Sequence, residues 1–204
     1  MISIVDYGMG NSGSILNMVR RAGGAGEIVA DPDAIATAKK LILPGVGAFD
    51  AGVSKLRATG LDDALETAVM ERKVPILGIC LGLQLFTRGS EEGLLPGLGW
   101  VSADTVQFRI EPPLKLRVPH MGWNRVVSAK NDVLIDSLPA EPQFYFVHSF
   151  HLVCDDEADV LTWTEYGIRF ASGVRLRNIW GTQFHPEKSH KYGLGLIKNF
   201  VNLV

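Results

Sequence analysis

The sequence has only two cysteines, Cys80 and Cys154, too few for a disulfide framework, so a reducing compartment suits it and each thiol must be read alone. It has no basic run. The 20 Lys and Arg stand against 22 Asp and Glu, a formal net charge of -2, and neither a nucleic-acid backbone nor an anionic membrane is the expected partner. No apolar stretch reaches the ~18 residues of a membrane span, and the chain opens as a strand, Met1-Ile2-Ser3-Ile4-Val5-Asp6, without a basic leader. A cytoplasmic protein is expected. Internal repeats, low-complexity runs and interdomain linkers are also missing, so the 204 residues read as a single domain over 1–204.

What the chain does have is glycine, 22 residues against a usual share of about 7%, gathered in short punctuating motifs. At 47% hydrophobic and 21% charged residues it has enough apolar material for a sizeable core. Over the first 90 residues, short β-rich runs (Ile2 to Val5, Ile28 to Ala30, Lys40 to Leu43, Pro75 to Ile79) alternate with helical spacings such as Ile15, Leu16, Val19, Ala22 and Leu61, Leu65, Ala68, Val69. Such alternation requires crossover helices and predicts a mostly parallel central sheet flanked by helices, with functional loops at the strands' carboxyl ends. From about residue 99 the runs crowd together (Thr105 to Phe108, Trp123 to Val127, Gln143 to Val147, Val160 to Thr164, Phe170 to Val174, Ile179 to Phe184) and predict an additional, mainly antiparallel β region. A last helix is expected from about His190 to Leu203.

Gly78-Ile79-Cys80-Leu81-Gly82 follows a β-run and opens a helix. This is the GxCxG form of the strained strand-to-helix elbow, whose glycines relieve crowding beside an exposed nucleophile. A helix N-terminus favours thiolate over thiol. Alone, the motif serves equally as a glycine-rich turn around a small buried Cys80, so it needs partners. Gln183-Phe184-His185-Pro186-Glu187 closes the last strand and supplies them. There the carboxylate of Glu187 is placed to hold one nitrogen of His185, leaving the other to take the thiol proton and return it to a leaving amine. Pro44-Gly45-Val46-Gly47 follows the Lys40 to Leu43 strand, where a sheet edge brings the backbone N–H groups of Val46 and Gly47 beside the elbow. With the N–H of Leu81 they could cradle an oxyanion, although a Pro-Gly pair is also simply a turn.

The remaining candidates read as structural. Cys154 ends an apolar run before an acidic turn. His148 and His151 are separated by two residues, but a strand of period two sends them to opposite faces, and no second ligand cluster accompanies them, so no metal site is expected. His120 and His190 read as polar loop or cap residues.

Taken together, Gly78-Ile79-Cys80-Leu81-Gly82-Leu83-Gln84 and His185-Pro186-Glu187 resemble the class I glutamine amidotransferases. Asp6-Tyr7-Gly8-Met9-Gly10-Asn11, Pro44 to Phe49, Pro119-His120-Met121-Gly122-Trp123-Asn124 and Pro186-Glu187-Lys188-Ser189 resemble, within that family, the glutaminase subunits of imidazole glycerol phosphate synthases. The resemblance spans the whole chain. It implies hydrolysis of glutamine to glutamate and ammonia through a Cys80 thioester, with His185 moving protons and Glu187 orienting it. It further implies that Gln84 faces the substrate pocket, that Glu92 holds the substrate's α-amino group, and that His148, Ser149 and Phe150 hold its α-carboxylate. The implied partner is a (β/α)8-barrel cyclase in a heterodimer, faced by Asn11, Trp123 and Lys188, and receiving ammonia for histidine biosynthesis. No metal or organic cofactor is implied.

His151 and His190 depart from the histidine-pathway pattern and resemble paralogues that supply ammonia for amidination of a surface-polysaccharide sugar. That alternative stays open. A lone thiol or γ-glutamyl hydrolase on the same elbow is opposed by Gln84 and Trp123, and a non-enzymatic binding subunit by the complete set of catalytic residue types.

Overall fold

In a computed structural model the protein is described over residues 1–112 and 114–203. Strand β1 (Ile2–Val5), helix α1 (Ser12–Arg21), β2 (Gly26–Val29), α2 (Pro32–Thr37) and β3 (Leu41–Gly45) come first. They lead into α3 (Phe49–Ala58), α4 (Leu61–Glu66), β4 (Ile76–Cys80) and α5 (Leu81–Gln84), so strand and helix alternate as the sequence pattern requires. The helical spacing predicted through Val69 holds, with α4 passing into a π-helical turn at Thr67–Glu71. Then follow β5 (Ala103–Gln107), β6 (His120–Arg125), β7 (Val127–Ser128), β8 (Gln143–His148), β9 (Phe150–Cys154), β10 (Val160–Tyr166), β11 (Ile168–Leu176), β12 (Ile179–Thr182) and the closing helix α6 (His190–Asn202).

The main sheet runs β2-β1-β3-β4-β12-β11-β10-β7, with β9 paired to β11 and β5 to β9. Strands β2, β1, β3, β4 and β12 are mutually parallel, while β11, β10 and β7 continue antiparallel. The late strands thus pair antiparallel as expected, except that β12 also inserts parallel beside β4. Strands β6 and β8 form a separate antiparallel pair.

The inner parallel strands β1, β3, β4 and β12 are buried on both faces, which their nearly unbroken apolar runs demand, whereas the edge strand β2 stays partly exposed. Leu41, Leu43 and Ile76 join Ile35, Val53, Leu56 and Leu65 from α2, α3 and α4 on one face. Ile42, Leu77 and Ile79 meet Ile15 and Val19 of α1 and Leu196, Ile197 and Phe200 of α6 on the other. Period two along each strand therefore sorts alternate residues into two cores. Among the described residues, no helix is long and apolar enough to cross a membrane.

For the site, what matters is register. Gly45 pairs with Cys80 across β3 and β4, and Thr182 pairs with Ile79 across β12 and β4. The carboxyl ends of three adjacent strands therefore deliver the Pro-Gly loop, the cysteine and the Gln183–His185 segment to one edge, the position open parallel sheets reserve for ligands.

Candidate active site

The elbow at Cys80 is a real backbone outlier, with φ 54° and ψ -109°. A non-glycine residue holds such a conformation only when its surroundings over-determine it, and two close approaches do so here. A Cβ on Gly82 would lie 1.9 Å from the Leu43 carbonyl oxygen, and one on Gly78 would lie 2.5 Å from the Phe86 ring. The two glycines let α5 fold back against β3 and β4, leaving the cysteine at the apex.

His185 is held from both ends. Its N–H donates to the Tyr145 carbonyl at 2.9 Å, and its own carbonyl accepts from Ser189 Oγ at 2.6 Å. The imidazole Nδ1 meets Glu187 Oε1 at 2.8 Å, with both side chains almost wholly buried. Burial alone would lower the ring's proton affinity, but the Cys80 sulfur and the Glu187 carboxylate outweigh it and hold the imidazole above its ordinary range. Nε2 makes no hydrogen bond of normal geometry, so the sulfur acts on the ring from nearby rather than through a closed bond. Proton-transfer contacts commonly rest open and tighten when substrate arrives.

A cavity of about 480 Å³ opens beside these groups and is bordered by Val46, Gly47, Cys80, Leu81, Gln84, Glu92, His148, Ser149, Phe150 and His185, together with Ala48, Pro119 and Val147. The structure thus gathers every residue expected to catalyse, bind substrate or form the oxyanion loop except Glu187, which stands behind His185. Gly47 adopts φ 106°. Glu92 Oε2 accepts from the Phe49 N–H at 2.8 Å, which pins a carboxylate at the cavity rim where an ammonium group could pair with it. A wider cleft beside Trp163 and Arg169 and another around Asn131 and Leu138 contain no cysteine or histidine.

Asn11, Trp123 and Lys188 lie outside the cavity. Asn11 caps α1, its side chain accepting from the Ser14 N–H. Trp123 is 44% exposed and pairs across β6 and β8 with Tyr145, over whose ring Lys188 Nζ sits at 5.7 Å.

The histidine expectations need correction. His148 and His151 do not diverge: both rings pack against Phe108, at 5.2 and 4.7 Å between centroids. The chain leaves one sheet at His148 and enters the other at Phe150, so strand alternation does not carry across Ser149. His120 is buried within β6 rather than lying on a loop. Its Nδ1 lies 3.0 Å from His148 Nε2, whose Nδ1 lies 2.7 Å from the Phe150 carbonyl. Since a carbonyl only accepts, each Nδ1 carries the proton, and Asn124 Nδ2 donates to His120 Nε2 at 3.1 Å. Burial pushes His120 down to about 4 and His148 down to about 3, so both rings are neutral near pH 7. Cys154 is half-buried, and burial, then Asp159 and Asp155, push its thiol up to about 11. Among the described residues no cluster of three or more His, Cys, Asp or Glu is arranged to hold a metal.

A family model described as glutamine amidotransferase class-I matches residues 3–203. The chain belongs to the class I glutamine amidotransferases. This amidotransferase is 50% identical over 201 residues to imidazole glycerol phosphate synthase subunit HisH 2 of Methanococcus maripaludis, covering 98% of each chain. It is 47% identical over 204 residues to the HisH 2 subunit of Pseudomonas aeruginosa, covering 100% of both. In fold it is similar to PurLQS from Thermotoga maritima, with TM-score 0.69 at 19% identity over 98% of this chain and 97% of that one. The glutaminase domain of Trypanosoma brucei CTPS superposes with TM-score 0.64 at 14% identity over 98% and 92%. As a member of this family the protein is an enzyme of glutamine amide chemistry.

Sequence reasoning missed Gln183. It is fully buried and places Nε2 3.7 Å from Cys80 Sγ, a neighbour fixed by strand register rather than by any motif.

Proposed function

We propose that the protein is the glutaminase subunit of an imidazole glycerol phosphate synthase, with Cys80, His185 and Glu187 as its catalytic triad. The observation that carries the reading is the buried Glu187–His185 pair at 2.8 Å facing a cysteine at a strained elbow, within a chain half identical to a HisH subunit. His185 takes the thiol proton, and the thiolate attacks the side-chain carbonyl carbon of glutamine. The N–H groups of Leu81 and of the Val46–Gly47 loop stabilise the oxyanion. The imidazolium then protonates the departing nitrogen, ammonia leaves, and a thioester remains. Water, giving up a proton to His185, attacks that thioester, and release of glutamate returns the proton to the sulfur. Gln84, Glu92 and the His148–Ser149–Phe150 segment orient the amino-acid end of the substrate.

Ammonia is useful only if it avoids protonation in bulk water, so the reading includes a (β/α)8-barrel cyclase docked as a heterodimer on the face bearing Asn11, Trp123 and Lys188. The test is glutamine hydrolysis with and without the co-purified partner, in wild-type and Cys80→Ala protein. The expected outcome is a loss on the order of 10⁴ to 10⁶ in kcat, with synthesis from ammonium salts intact in the complex. Retention of more than about a tenth of wild-type hydrolysis would remove Cys80 from the mechanism.

One observation favours a second acceptor. His190, which departs from the histidine-pathway pattern, stacks on Trp123 in the proposed docking face, where a change of partner would leave its mark. Under that reading the ammonia goes to a sugar amidinated for a surface polysaccharide. Capture of a sugar-modifying enzyme in place of a cyclase would establish it.

A further inference from the structure

Gln183 follows β12 directly, with its backbone N–H bonded to the Ser172 carbonyl at 2.9 Å and its side chain sealed from solvent. Because Thr182 pairs with Ile79, the next residue on each strand, Gln183 and Cys80, become neighbours. Burying a primary amide is costly unless its polar atoms are bonded, and an apolar side chain would fill the space without that burden. The amide therefore has bonds to account for it.

Which end of the amide faces the sulfur is settled by the Phe150 carbonyl. That oxygen only accepts, so the Gln84 atom 3.4 Å from it is Nε2. The Gln183 atom 3.1 Å from the same nitrogen is then the acceptor Oε1, and Nε2 of Gln183 is left facing Cys80 Sγ at 3.7 Å. His148 donates to the same carbonyl, which keeps the carbonyl itself in place. The reversed orientation would set a carbonyl oxygen against the sulfur and two donors against each other.

We propose that Gln183 is a catalytic residue of this site: its side-chain amide donates a hydrogen bond to the Cys80 sulfur that strengthens as the thiolate forms, with Gln84 and the Phe150 carbonyl fixing its direction. A hydrogen bond to a charged acceptor is stronger than one to a neutral one, so this donor stabilises the attacking anion more than the resting thiol and keeps Sγ aimed while His185 holds the proton. The kinetic part of the inference rests on the proposed glutaminase reaction; the sulfur contact does not.

The test uses the full chain in a Cys154→Ser background, where Cys80 is the remaining thiol, and follows alkylation by iodoacetamide from acid to alkaline pH. In Gln183→Met, alkylation near about pH 6.5 should slow about 10- to 100-fold while the alkaline plateau stays within about twofold. Gln183→Glu, with the same shape, sets a second anion against the sulfur and should slow it further. In the partner-stimulated reaction, kcat for glutamine should fall by a similar factor, with KM within about threefold. A folded variant with reduced Tm but an unchanged alkylation profile would mean a merely structural glutamine and overturn the proposal. Should both variants fail to fold, the ¹⁵N side-chain resonance of Gln183 in the parent chain decides, since it should move with pH in step with Cys80 alkylation. A resonance that stays fixed would overturn it equally. A shifted alkylation profile in a protein that never hydrolyses glutamine would leave the sulfur contact standing and bring down the proposed function instead.

Discussion

The rings of Trp123 and His190 lie parallel, 4° apart in plane and 5.4 Å between centroids, on a face where both residues are exposed. If the proposed docking face is right, a large aromatic stacked on a neighbour and left open to solvent is suited to anchor the partner. Trp123→Ala should therefore weaken the partner complex by about 2 kcal/mol or more while the isolated subunit's Tm changes little. Titration of the partner subunit alongside thermal melts checks this, and a large fall in Tm at constant affinity would place the tryptophan's role inside the fold.

Val46 is 45% exposed at the cavity rim and stands between Gly45 and Gly47. Any Cβ at Gly45 would meet Tyr7 Oη at 2.5 Å and the Gly82 nitrogen at 2.8 Å, so the loop is fixed at that end, and reorientation of its peptide has to involve Val46, whose β-branched side chain resists it. The hypothesis is that partner docking turns this peptide to aim a donor at the oxyanion. Val46→Gly should then raise basal glutaminase in the lone subunit, up to about 10²-fold, and shrink stimulation by the partner. Unchanged basal turnover in a folded variant that still binds glutamine places the restraint elsewhere.

The elbow makes a sharper demand. In Gly82→Ala the new methyl would lie 1.9 Å from a backbone oxygen, so β3 and α5 have to separate, with a loss of at least about 10²-fold in kcat and a lower Tm. Gly13→Ala is the control: it sits within α1, and apart from its chain neighbours and that helix's own backbone nothing lies within 4 Å of its added carbon. That change should raise stability by about 0.5–1 kcal/mol without touching turnover.

Acid should undo the protein through its buried histidines. His120 and His148 are held neutral, their folded values depressed to about 4 and about 3, whereas in the unfolded chain they titrate near 6.5. Their contribution is fully present above about pH 6.5 and is lost as pH falls toward those folded values. The unfolded state then binds more protons, and each ring costs up to about 1.4 kcal/mol per pH unit. Calorimetry at about pH 5 should show proton uptake on unfolding, reduced by about one in His120→Phe. Equal uptake in both proteins contradicts the assignment.

Much of this arrangement was legible in the sequence because local chemistry forced it. A cysteine between two glycines after a β-run becomes an elbow once His185-Pro186-Glu187, which brings base and carboxylate together within three residues, is read beside it. What stayed hidden was set by pairing between distant strands. Gln183 meets Cys80 only because β12 enters parallel beside β4, although its chain neighbours are antiparallel. The His120–His148 contact depends likewise on β6 and β8 placing those residues opposite each other. Strand alternation cannot place His151 relative to His148, because the chain changes sheets at Ser149.

The separate β6–β8 pair has a consequence for how such enzymes diversify. Cys80 and Gln183 sit at the ends of main-sheet strands, and His185 follows from the same edge. Trp123 and Tyr145 instead ride on the two-stranded arm, joined to the base by the bridge between Tyr145 and His185 and by Ser189 Oγ, which accepts from the Tyr145 N–H and donates to the His185 carbonyl. The arm that carries the exposed Trp123 therefore also braces the base, so its outer and inner faces share one stretch of backbone. Exchanging only the exposed positions 121 and 123 between relatives that serve different acceptors should alter where the nitrogen goes, while the buried His120, Phe144, Phe146 and His148 keep the sulfur chemistry in its original frame.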